Sequence, residues 1–111
     1  MRLCREPFDM IRAGKKTYEL RLFDEKRRNI SIGDTICFTV ADGSDESFEC
    51  EVTSLSVFSS FAELYCSLPL DKCGYDEYSL PYADPSDMGK YYSLEEQIKY
   101  GVIAIGVNNR F

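Results

Sequence analysis

The segment VIAIGV, residues 102–107, carries no polar side chain at either parity. A strand exposed on one side alternates polar and apolar residues, whereas this one offers water nothing on either face. It predicts a final strand buried on both faces. The segment ahead of it, SLEEQIKYG, predicts a helix that opens on a capping box, Ser93 with Glu96, and stops at Gly101. Glu95 and Glu96 then serve the first turn of that helix, where negative charge is favourable.

The rest of the chain supplies partners for such a strand. TYELRLF alternates: Tyr18, Leu20 and Leu22 point to one side, and Thr17, Glu19 and Arg21 to the other, with Phe23 beside them. ISIGDTICFTV bends at Gly33-Asp34 and continues as a strand from Thr35 to Val40, with Ile36, Phe38 and Val40 inward. After the hairpin loop ADGSDE, SFECEVTSLSVF predicts a second strand with Phe48, Cys50 and Val52 on one face. EPFDMIRAG reads as a short helix with Pro7 at its start and Gly14 just past its end. SSFAELY reads as another, capped by Ser and packed through Phe61 and Leu64. Strands at short intervals with helices at the edges predict a mainly β domain with short helices (α+β), a small barrel occupying residues 1–111 as one unit.

Between residues 66 and 92 the pattern breaks down. This stretch holds three of the four prolines and many of the eight tyrosines. Long irregular segments in small domains are commonly functional.

Composition excludes several chemistries. The chain has no histidine, so there is no Ser-His or Cys-His pair and no histidine-ligated zinc. Proton transfer falls to Glu, Asp, Lys, Tyr, Cys or water. Five cysteines, an odd number without a C-x-x-C pair, predict reduced thiols rather than a disulfide framework or a metal site. No metal or cofactor is expected. No apolar run is long enough to span a membrane, and the first residues, MRLCREPF, lack the apolar stretch of a signal peptide. A cytoplasmic protein is expected. A net charge of −6 opposes tight binding to long double-stranded DNA while leaving room for a local basic cleft.

One charge-dense stretch stands out, AGKKTYELRLFDEKRR. Gly14, Lys16, Glu19 and Arg21 form the pattern G-x-K-x-x-E-x-R. Glu19 and Arg21, two apart on a strand, leave the same face, and Lys16 comes from the turn just before it. Gly14 allows that turn and leaves room for a ligand. The planar fork of Arg21 suits a phosphate or a base edge, and Glu19 suits an exocyclic amine. Lys16 suits an anion, or acts as a base if it loses its proton. DEKRR reads as a solvated turn; the alternative is a rim in which Arg27 or Arg28 meets a flanking phosphate. Tyr91 and Tyr92 read as half-buried packing residues, or one of them stacks on a base.

PFDMIRAGKKTYELRL, then IGDTICF, then YYSLEEQIKYGVIAI, together resemble the ASCH (activating signal cointegrator homology) domain family in the expected order over nearly the whole chain. The resemblance implies a PUA-like β-barrel with a cleft beside the motif, built from Gly14, Lys16, Glu19, Arg21 and Tyr92. The family is regarded as RNA-related, which implies RNA or a nucleoside or nucleotide as partner. A few members are hydrolases that remove acetyl from N4-acetylcytidine. On that alternative Lys16 matches the catalytic lysine, as base or nucleophile, with Glu19 as the acid/base. The departure is at Glu19, where those enzymes carry Thr. Their catalytic Glu has no secure counterpart, Asp76 and Glu77 being the nearest.

Overall fold

In the computed structural model, which describes residues 1–109, the segment VIAIGV lies within the strand Val102–Asn109, hydrogen-bonded to a neighbour on each side. We number the strands β1 (Arg2–Leu3), β2 (Tyr18–Leu22), β3 (Thr35–Val40), β4 (Ser47–Phe58) and β5 (Val102–Asn109). The helices are α1 (Arg5–Arg12), α2 (Glu25–Arg28), α3 (Phe61–Ser67) and α4 (Leu94–Tyr100), with three 3-10 turns between Leu70 and Lys90. The strand order is β1-β3-β4-β5-β2. All pairings are antiparallel except the short β1–β3 pair. The register of β4 against β5 shifts between Val52 and Ser54, and such a bulge bends a long strand and sharpens its twist. The result is a half-barrel whose two edges are β1 and β2.

Apolar residues at both parities of β5 have separate destinations. Ile103, Ile105 and Val107 join Phe8 and Ile11 of α1, Phe38 of β3 and Val52 of β4 on the inner side. Val102 and Ala104 join Leu20 and Leu22 of β2 and Phe61 and Leu64 of α3 on the outer side. Each isoleucine or phenylalanine removed from water contributes roughly 1.5–3 kcal/mol. Phe8, Phe38 and Phe61 are all fully buried, one from each layer of the packing. β3 alternates as expected, with Ile36, Phe38 and Val40 buried and their neighbours exposed.

The caps sit where the sequence placed them. Ser60 accepts from the Glu63 N–H, and Ser93 and Glu96 form the reciprocal capping box. Gly101 has φ +72° and ψ −176°, a region open essentially to glycine alone. A Cβ there would also stand 3.1 Å from the Phe58 carbonyl oxygen. Among the described residues no helix is long and apolar enough to cross a membrane.

Candidate functional site

The charged parity of β2 faces the inside of the half-barrel. Glu19 pairs in register with Ile105 and Arg21 with Ile103, and residues directly opposite in a sheet share a face. Both isoleucines belong to the inner core. The turn after α1 delivers Lys16 to the same place: the Lys15 and Lys16 amides both donate to the Met10 carbonyl, and Thr17 N–H donates to Lys72. Lys16 and Glu19 are consequently buried, at 8% and 3% exposure, so this charged face is no solvated surface.

Two cations converge on one carboxylate. Lys16 Nζ donates to Glu19 Oε1 at 2.8 Å, and Arg21 Nε donates to Glu19 Oε2 at 2.8 Å. Burial pushes the Glu19 carboxyl up, but Lys16 and then Arg21 outweigh it and hold it below the ordinary range. Burial likewise opposes the charge on Arg21, and Glu19 more than restores it. Arg21 Nη2 also donates to the Arg2 carbonyl at 3.2 Å, so a side chain from one edge strand reaches the other across the open seam. The Tyr92 hydroxyl lies beside this guanidinium; burial raises its pKa although Arg21 pulls the other way. Its ring stacks on Phe61, with centroids 5.9 Å apart. Removing an ion from water costs several kcal/mol, so such a cluster is weak support for stability alone.

The opposite wall comes from the irregular segment. Tyr75 donates to Asp87 Oδ2 at 2.6 Å, and the hydroxyls of Tyr65 and Tyr75 are 2.8 Å apart. A carboxylate only accepts, so Tyr75 spends its proton on Asp87 and Tyr65 donates to Tyr75. Tyr65 is buried on α3, and the chain of hydroxyls fixes the wall to the body of the fold. The backbone at Gly74 passes close to the Lys16 stem, where a Cβ would sit 3.5 Å from Cδ. Between this wall, β2 and the start of α1 lies a cleft of about 450 Å³. That volume falls in the range of small-molecule sites. Lys16, Glu19 and Arg21 line it together with Arg2, Met10, Asp87, Lys90, Tyr75, Tyr91 and Tyr92. Four of its side chains are cationic (Arg2, Lys16, Arg21, Lys90) and three anionic (Glu6, Glu19, Asp87), in a chain of net charge −6.

Lys16, Glu19, Arg21 and Tyr92 are thus brought together. Gly14 takes the positive φ expected of it, +78°, but does not line the cleft, and nothing lies within 4 Å of the Cβ position. Its contribution is the turn that aims Lys16. Asp76 and Glu77 lie outside the cleft on an exposed loop, where the Asp76 carboxylate accepts from the Tyr78 and Ser79 amides. Arg27 is paired with Asp24 at 3.0 Å, and Arg28 lies over the Phe23 ring at 4.3 Å; neither lines the cleft. Each Glu19 oxygen already accepts one charge-assisted hydrogen bond from a cation, so a ligand amine would have to share the carboxylate with Lys16 and Arg21. No local pattern marks Tyr75, Asp87, Lys90 or Arg2 in the sequence; the proline- and tyrosine-rich composition of residues 66–92 is the signal for the first three. Among the described residues no group of three or more His, Cys, Asp or Glu side chains is placed to hold a metal ion.

Comparison with known proteins gives a family and two structures. The family model described as "ASCH domain" matches residues 1–111. The crystal structure of the hypothetical protein PH0355 is 32% identical, with a TM-score of 0.77, covering 98% of this chain and 95% of that one. The solution structure of protein PF0455 from Pyrococcus furiosus is 28% identical, with a TM-score of 0.66, covering 99% of this chain and 98% of that one. No match was found among curated proteins.

Proposed function

We propose that this chain, which belongs to the ASCH domain family, binds a nucleobase-containing ligand (a nucleoside, a nucleotide or an unpaired stretch of RNA) in the cleft over Lys16, Glu19 and Arg21. The observation that carries the reading is the buried ion cluster at the foot of an aromatic-walled cleft. A charge cluster that costs desolvation yet opens onto a cavity is placed to meet polar groups of a ligand. Arg21 presents a planar fork already held by Glu19, which suits a base edge or phosphate, and the exposed Tyr91 and half-buried Tyr92 offer rings for stacking. The association of the family with RNA agrees with this chemistry.

Titration of short single-stranded RNA at two salt concentrations tests it. Few phosphates are engaged, so the salt slope corresponds to one or two ion contacts. Arg21→Ala, checked for folding by circular dichroism, weakens binding roughly tenfold or more. Equal binding by parent and variant would refute the placement of the site.

A second reading rests on the 2.8 Å contact between Lys16 and Glu19, an amine and a carboxylate within proton-transfer reach in a cleft. That pair would serve an amidohydrolase acting on N4-acetylcytidine-type nucleosides, with Lys16 as base or nucleophile and Glu19 as acid. It requires the Lys16–Glu19 bond to break and the amine to give up a proton. Incubation with N4-acetylcytidine, with Lys16→Ala as control, decides it: release of cytidine by the parent alone supports catalysis, and no release leaves the cleft a binding site.

A further inference from the structure

We propose that Asp87 is the specificity-determining residue of this cleft, accepting a hydrogen bond from an exocyclic amino group and so selecting cytosine and adenine over uracil and hypoxanthine. The inference rests on the nucleobase-binding reading above. Two carboxylates in the cleft other than Asp87 are poorly suited to the task. Glu19 has one oxygen on Lys16 and the other on Arg21. Glu6 is exposed and has no hydrogen bond among the described residues to hold its side chain. Asp87 is half-buried, lines the cleft, and is held in place by two donors on one oxygen, the Tyr75 hydroxyl at 2.6 Å and the Asp84 N–H at 3.2 Å. Its other oxygen, Oδ1, has no hydrogen-bond partner among the described residues. A fixed carboxylate with one free acceptor oxygen is matched by an N–H donor and opposed by a carbonyl oxygen. The exocyclic groups of the bases differ in this respect, an amino group donating where an oxo group accepts. A site that offers a fixed acceptor discriminates strongly because the wrong ligand leaves it unpaired or repelled.

Asp87→Asn makes the inference sharper than removal of the side chain does. The Tyr75 hydroxyl and the Asp84 N–H are both donors, so the Asn carbonyl must face them. The amide NH₂ is then forced into the place of Oδ1, turning the free acceptor into a donor. The wall keeps both of its hydrogen bonds while the preference reverses.

Calorimetric titration of the full chain with cytidine, uridine, adenosine and inosine provides the test. The parent is expected to bind cytidine over uridine, and adenosine over inosine, by roughly tenfold. Asp87→Asn is expected to favour the oxo member of each pair. Binding of all four nucleosides with equal affinity by the parent would overturn the role of Asp87 and leave the cleft assignment standing, as would an unchanged amino preference in Asp87→Asn. Absence of binding by all four nucleosides would overturn the inference, and the cleft assignment falls with it when short single-stranded RNA is not bound either. The ratio measured on the parent needs no variant, so a folding defect in Asp87→Asn leaves the inference testable.

Discussion

Replacing Glu19 with Gln leaves the shape of the inner face almost unchanged and removes the one negative charge between the buried Lys16 and the half-buried Arg21. Lys16 and Arg21 then face each other with side-chain exposures of 10% and 16%. A Gln offers a single acceptor oxygen, so one of the two cations meets an NH₂ group instead. Breaking a buried pair by removing one partner costs about 3–5 kcal/mol because a charge is left uncompensated. For 111 residues the entropy of unfolding near the midpoint is about 230 cal/mol/K. The expected fall in Tm is therefore about 13–22 °C, read by circular dichroism or calorimetry at neutral pH. The acid limb carries the same signature. The ordinary Glu value is 4.5 and the folded value lies below it, so the unfolded chain binds the proton first as pH falls. Stability from Glu19 is complete above about pH 4.5 and is lost as the pH drops through the folded value. Glu46, drawn down to about 2 by Arg5 and then Arg12, contributes to that limb in parent and variant alike. The Gln variant should accordingly show a flatter acid limb. A Tm change below about 4 °C, the scale of an exposed pair, would refute the claim that this cluster is buried and mutually dependent.

Gly101→Ala forces a side chain into a glycine-only region and against the Phe58 carbonyl, costing about 1–3 kcal/mol; a Tm within 2 °C of the parent would contradict the geometry. Burial pushes the Cys50 and Cys73 thiols up to about 11, so thiol titration at pH 8 should count Cys4, Cys37 and Cys66 quickly and the other two only on unfolding. Five fast thiols in the native protein would show that those two packing sites are open.

Local signals carried much of this fold. The double-faced apolar run at 102–107, the alternation in β3 and the Ser93–Glu96 box each report a constraint contained within a few neighbouring residues, and each took its expected form. β1 left no trace because two residues are too few for a period. The parity of Glu19 and Arg21 was readable, yet not that their side faces the inner core, since that depends on β2 pairing with β5 more than 80 positions later. The Tyr75–Asp87 wall escaped for a similar reason: its bonds join two 3-10-rich stretches that have no periodicity to read. Gly14 marked the right turn, and its effect on the cleft passes through Lys16 rather than through open space of its own.

The central claim is that a nucleobase enters the cleft over the Lys16–Glu19–Arg21 cluster. Amide chemical-shift mapping in ¹⁵N-labelled protein titrated with cytidine and with a short single-stranded RNA tests it most directly. The account predicts saturable shifts concentrated at residues 16–21, 73–75 and 87–92. Shifts confined instead to the exposed Leu94 and Ile98 face of α4, or no shifts at saturating nucleoside and RNA, would contradict it.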